Sequence, residues 1–243
     1  MDSVGSRGVG YFPQLEKVPP HNHDGVGSLH MYIPWWKFDR KNDFLRGYHI
    51  EFGGGQRMPR VGQFKTVCTE FEGYGSRLKE RCRQTYGAFI SLGGRGEMIP
   101  NSHSYCEIDP DEVDEWGIPV LRFHFKWGDN EIKIARDMQE TFKAIIEAAG
   151  GTYVTRTETA GEFPYGITVG GQIIHEVGTA RMGTNPQTSA LNGFCQTHDV
   201  KNLFVTDGAC FVSNPDKNPT LTILALSWRA SEYIAEEARK GNL

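Results

Sequence analysis

The hydrophobic period of this chain changes sharply near residue 130, and that change constrains the fold more than any other feature. From Leu121 to Trp127 apolar and polar residues alternate: Leu121, Phe123, Phe125 and Trp127 fall on one face, Arg122, His124 and Lys126 on the other. A period of two is that of a half-buried β-strand, whose successive side chains point to opposite faces. Past Gly128 the apolar residues recur every three or four positions instead, at Ile132, Ala135, Met138, Phe142, Ile145, Ile146 and Ala149. That spacing predicts an amphipathic helix of about five turns, which Gly150-Gly151 ends in the C-cap position.

Elsewhere the text is shorter-ranged. Tyr48, Ile50 and Phe52 alternate with His49 and Glu51, a half-buried strand ending at Gly53-Gly54-Gly55. Phe89-Ile90-Ser91-Leu92 and Glu97-Met98-Ile99-Pro100 read as short strands around a Gly93-Gly94-Arg95-Gly96 turn. A second long helix opens near Asn218 and runs to about Arg239, with Leu221, Leu224, Ala225, Trp228 and Ile234 along one side. Pro219 costs nothing in its first turn, where the missing N–H would have had no intrahelical partner. Strands followed by helices predict an α+β fold, with a mainly antiparallel sheet in roughly residues 28–130. Residues 1–28, rich in Gly, Pro and His, read as an extended loop segment.

Composition excludes several classes. With 38% hydrophobic residues the chain has enough apolar surface for a core, so disorder is not expected. A net charge of -4 without a basic run argues against a nucleic-acid partner. No stretch reaches the roughly 18 apolar residues of a membrane span, and the start, Met1 to Arg7, lacks the apolar core of a secretory signal. The five cysteines, Cys68, Cys82, Cys106, Cys195 and Cys210, contain no C-x-x-C pair. They read as reduced, packed thiols in a cytoplasmic protein. His21, His23 and Asp24 have a ligand-like spacing, but in a Gly/Pro-rich loop such a set is expected to be solvated, and no metal is expected. Tyr32, Trp35 and Trp36 suit a sugar-stacking platform, although core packing is the expected role of such aromatics.

The chemistry lies in the last third, in three ordered elements. His175-Glu176-Val177-Gly178-Thr179-Ala180-Arg181-Met182-Gly183 comes first, Val205-Thr206-Asp207-Gly208-Ala209 second, and Asn218-Pro219-Thr220-Leu221-Thr222 third. Their order and spacing resemble the C-terminal end of the glucose-methanol-choline family of flavin-dependent oxidoreductases. That family carries H-x-x-G-T-x-R-M-G, then a short strand ending in D-G or D-A, then N-P-T-x-T or a histidine equivalent opening the last helix. Asparagine in the third element resembles the sugar-oxidising, pyranose-oxidase-like branch. The stretch Glu107-Ile108-Asp109-Pro110-Asp111, with Asp114, Trp116, Gly117, Ile118 and Pro119, resembles the end of the substrate domain of the same family.

The resemblance implies FAD as cofactor, His175 and Asn218 as the catalytic pair, and Asp207, Gly208, Ala209, Pro219 and Thr220 along the flavin. It implies a substrate-binding domain over 29–150 and a C-terminal segment over 151–243 that completes the FAD domain and active site. No G-x-G-x-x-G occurs, so the usual pyrophosphate cradle is lacking. The expected partners are therefore an N-terminal Rossmann-like half, in the same or a separate chain, and a small sugar or alcohol substrate.

The residue types suit that chemistry. Oxidising an alcohol requires removal of a hydroxyl proton near neutral pH, for which histidine is the natural base. A second polar group, Asn218, would fix the substrate oxygen in a near-attack arrangement. Asp207 would accept from a ribityl or ribose hydroxyl, and Gly208 lets the backbone approach closely. The helix start after Asn218 favours the negative charge that a reduced flavin gains at its N1–C2=O locus. Taken singly, His175 reads as a core or capping histidine, Asn218 as an N-cap, Asp207-Gly208 as a turn, and Arg181 as the partner of a nearby carboxylate or carbonyl. Two other classes are open to the residues alone. One is a non-catalytic carbohydrate-binding or interaction module built on the aromatic strands, the other a metal-dependent hydrolase on the N-terminal histidines.

Overall fold

A computed structural model describes residues 1–19, 31–39, 41–54, 64–65, 67–68, 73–155 and 164–243. His21, His23 and Asp24 lie outside the described residues. The chain divides into two compact units. One contains Met1–Val4, Gly96–Glu131 and Thr168–Leu243; the other contains Gly5–Arg95 and Ile132–Ile167.

The second of these is built on a five-stranded sheet. Its strands are β1 (Val4–Tyr11), β2 (Met31–Trp36), β3 (Tyr48–Gly54), β4 (Phe89–Gly96) and β7 (Thr152–Tyr153), in the order β2-β3-β4-β1-β7. The β2–β3 and β1–β7 pairs are antiparallel. Helix α1 (Gly75–Thr85) precedes β4, and α2 (Asp129–Ala148) precedes β7. Of the α2 stripe read from the sequence, Ala135, Met138, Phe142 and Ile146 are inaccessible, Ile132 and Ile145 are half-buried and Ala149 is exposed, while Ile134, outside that stripe, is also inaccessible. A helix can lie this close to the sheet because the strands offer glycine beneath it. A Cβ on Gly10 would stand 2.7 Å from Ile146 Cγ2, and one on Gly94 would stand 2.5 Å from Met138 Sδ. The Tyr48 hydroxyl, buried under α2, donates to Asp137 at 2.5 Å and lies 2.9 Å from the Thr141 hydroxyl. Burial first, and that acceptor second, push its phenol well above its ordinary pKa. Asp137 also pairs with Lys37.

Three local expectations change here. Gly93 to Gly96 is not a turn but the second half of β4, an interior strand whose glycine makes room for α2. His49, expected on a polar face, is buried like Tyr48 and Ile50, because both faces of β3 are covered at this end. Residues 4–11 are a strand; their alternation uses Ser and Gly at buried positions, which hides its period.

The other unit holds the ribbon β5 (Tyr105–Val113) and β6 (Pro119–His124), paired antiparallel with Ile108 opposite Leu121 and Cys106 opposite Phe123. One face of the ribbon is ionic. Arg122 donates to both oxygens of Asp109 at 2.7 and 3.1 Å, and His124 meets Glu107 at 2.8 Å while stacking on Tyr105. The alternating strand was legible, but its apolar residues are only partly buried. Trp127 is inside, donating its indole N–H to Thr168 O at 2.8 Å, whereas Phe123 is 66% exposed.

The last helix, α3, spans Thr220–Lys240. Its buried line is Ile223, Leu226 and Ala230, packed on a core of Val177, Leu191, Cys195, Cys210 and Phe211. The apolar stripe read from the sequence faces largely outward: Leu221 is 79% and Trp228 72% exposed. Both stripes are apolar, so periodicity alone does not choose between them. Among the described residues no helix is long and apolar enough to cross a membrane.

Candidate active site

His175 begins a segment that the first three residues of the chain hold in place. The Met1 amino group donates to Val177 O and the Val177 amide donates back to Met1 O, both at 2.9 Å. Burial lowers the pKa of that amino group and raises that of the Asp2 carboxyl. Asp2 accepts from the Ser3 amide at 2.7 Å and the Gly171 amide at 3.2 Å. These contacts fix Ser3, whose Oγ lies 3.3 Å from His175 Nδ1. The same hydroxyl donates to Asn214 Oδ1 at 3.3 Å, and Asn214 Nδ2 donates to the His175 carbonyl at 2.8 Å. Ile174, immediately before the histidine, has φ 61° and is 82% exposed. A β-branched residue in left-handed backbone is strained, a condition held only where surrounding contacts over-determine it.

After the histidine the chain runs beside the second motif. Gly178 N donates to Gly208 O at 3.1 Å, Ala180 N to Ala209 O at 3.0 Å, and Met182 N to Cys210 O at 2.9 Å. Gly178 has φ 89°, a conformation L side chains rarely adopt, and a Cβ there would stand 3.1 Å from the Phe211 carbonyl oxygen. Gly208 is where the three elements converge. A Cβ there would stand 3.1 Å from Val177 Cγ1, 3.5 Å from Glu176 O and 3.5 Å from Ile223 Cδ1 in the first turn of α3.

Asp207 closes its own turn, accepting from the Ala209 amide at 2.7 Å, and its side chain is otherwise exposed. Ala209 is half-buried in that turn. Helix α3 is anchored by Ser227, whose hydroxyl donates to Thr206 O at 2.5 Å. The first intrahelical bond runs from Ile223 N to Pro219 O, so the amides of Thr220, Leu221 and Thr222 have no partner within the helix. Pro219 occupies the N-cap position and is buried. Asn218 is therefore not the cap: it is exposed, and its side chain makes no hydrogen bond among the described residues. Arg181 likewise makes no side-chain hydrogen bond or ion pair among the described residues. It lines an open cavity of about 420 Å³ with Met1, Asn101, Ser102, Ser104 and Gly178.

Ser3 and Asn214 were not among the residues singled out from the sequence. Ser3 lies 172 positions from His175, and nothing local marks it. Asn214 carries one faint sign, an Asn-Pro pair repeated at Asn218-Pro219.

The profile of the GMC oxidoreductase family, in its C-terminal part, matches residues 100–227, just over half of the chain. The chain is 32% identical over 167 residues to the gluconate 2-dehydrogenase flavoprotein of Pantoea cypripedii, covering 69% of this chain and 27% of that protein. It is 31% identical over 203 residues to 2-methyl-1,2-propanediol dehydrogenase of Mycolicibacterium austroafricanum, covering 81% and 34%. Over 126 residues it is 28% identical to pyranose 2-oxidase of Tricholoma matsutake, covering 50% and 20%. The chain thus spans about a third or less of the length of these relatives. In fold it is similar to pyridoxine 4-oxidase from Mesorbium loti, with a TM-score of 0.55 at 14% identity, over 97% of this chain and 43% of that one. The family is FAD-dependent, and this chain belongs to it as a GMC oxidoreductase C-terminal segment.

Proposed function

We propose that this chain is the catalytic C-terminal portion of an FAD-dependent oxidoreductase that oxidises an alcohol group of a sugar or polyol. The observation that carries the reading is the convergence of the His175, Asp207 and Asn218 elements around Gly208 within one compact unit. The names of the relatives, among them gluconate 2-dehydrogenase, fructose dehydrogenase and pyranose 2-oxidase, support a polyhydroxylated substrate.

The residues present suit the cofactor. Asp207 offers an exposed carboxylate as acceptor for a ribityl or ribose hydroxyl, beside Gly208 and Ala209. Pro219 and Thr220 open a helix whose first amides point out of its positive end, suited to anionic charge. Bound FAD supplies the acceptor for the hydride that leaves the alcohol carbon. A dinucleotide-binding half of Rossmann type would complete its site. His175 takes the hydroxyl proton as the C–H bond breaks and the carbonyl forms. Asn218, unengaged within the described residues, is available to hold the substrate oxygen.

The test is anaerobic mixing of the FAD-loaded holoprotein with a panel of sugars, polyols and 1,2-diols, followed by flavin absorbance. Bleaching by one or more of them is expected. A flavin that no alcohol in the panel reduces, yet dithionite does, would overturn the reading.

A further inference from the structure

We infer that Ser3 and Asn214 are positioning residues that fix the tautomer of His175, keeping the proton on Nδ1 and the lone pair on Nε2. The inference rests on His175 as base and adds the groups that make it one. A backbone carbonyl can only accept, so the amide that meets His175 O at 2.8 Å must present Nδ2. That choice turns Oδ1 of Asn214 toward Ser3 Oγ at 3.3 Å. An amide oxygen also only accepts, so the single hydroxyl proton of Ser3 is committed to it. What Ser3 Oγ offers His175 Nδ1, at 3.3 Å, is then a lone pair, and Nδ1 must carry the hydrogen. The opposite assignment would send the hydroxyl proton to Nδ1 and leave two oxygens facing each other with no proton between them.

Burial makes the choice binding. Ser3 is 0% and Asn214 1% exposed, so solvent cannot replace either partner, and a buried polar group left unpaired is costly. The Met1–Val177 bonds and the strained backbone at Ile174 hold the serine and the imidazole in register. A neutral imidazole has one N–H and one lone pair, so a proton fixed at Nδ1 leaves Nε2 as the basic atom. This is the protonation state a base needs before it meets substrate.

The test is long-range proton–nitrogen NMR of the 243-residue chain labelled with 15N-histidine, above the His175 titration, with His175→Gln identifying its signals. Nδ1 is expected to be protonated in the native chain. Ser3→Ala should move the ratio toward the Nε2–H form about fivefold, the worth of one neutral hydrogen bond, and Ser3→Thr should restore it. In the holoprotein Ser3→Ala should lower kcat about fivefold at unchanged KM, with Ser3→Thr restoring the rate. A native His175 carrying its proton on Nε2 would overturn the inference, and that measurement needs no variant. So would a Ser3→Ala chain with native circular dichroism and an unchanged tautomer ratio. If the tautomer follows Ser3 while His175→Ala leaves flavin reduction untouched, the tautomer assignment stands and the base reading falls.

Discussion

Gly208 lies against Val177 so closely that a single added Cβ would stand 3.1 Å from Val177 Cγ1. That contact joins the turn after Asp207 to the segment leaving His175, and Ile223 closes the third side from the start of α3. Three stretches far apart in sequence therefore share one packing point.

Gly208→Ala should destabilise this unit. The added methyl is tighter than ordinary contact and must displace a branched side chain in a filled core, a change that costs about 1–3 kcal/mol. Urea unfolding of native and variant chains measures it. A variant as stable as the native chain would show that the three segments yield more freely than the packing implies.

The ionic face of the ribbon carries a pH signature. The Asp109 carboxyl accepts the amides of Asp111 and Glu112 and the Arg122 guanidinium. The Asp111 amide first, with Arg122 adding to it, holds its pKa below the ordinary 3.8. A depressed carboxyl stabilises the fold above its unfolded value, and that stability is lost as pH falls through the folded one. Carbon-detected NMR should therefore find Asp109 titrating below 3.8, and still below it, though less so, in Arg122→Ala. A native midpoint at or above 3.8 would contradict the geometry.

Cysteine labelling separates the thiols. Burial first, and the adjacent Cys195 second, push the Cys210 thiol up to about 12, and both side chains are inaccessible. Since the thiolate is the reactive form, iodoacetamide at pH 8 should spare Cys195 and Cys210 in the native chain and modify them in urea. Mass spectrometry of the peptides decides it. Fast native alkylation of Cys210 would show that the core around Val177 and Leu191 opens readily.

Much of this was legible in the sequence because the signals were local. The α2 stripe follows from its own spacing, and Gly178 in H-x-x-G-T proves to have a positive φ, a conformation L side chains rarely adopt. The exposed stripe of α3 was not legible, since Leu221, Leu224 and Trp228 are as apolar as Ile223 and Leu226 and period alone cannot rank them. Nor was the clip on His175. Ser3 and Asn214 reach it through tertiary contacts across 172 and 39 residues, and only the folded chain pairs them. Asn218 illustrates a third limit. Its residue type suits an N-cap, yet Pro219 takes that position and leaves the asparagine side chain in solvent.

The most direct measurement is single-turnover flavin reduction by the alcohol substrate in stopped flow, without oxygen, in holoprotein carrying His175→Ala. The account predicts a flavin that stays bound but is reduced about 10²–10⁴ times more slowly, the usual contribution of a positioned base, with Asn218→Ala slowed less severely. Reduction at the native rate in the His175→Ala protein would contradict it.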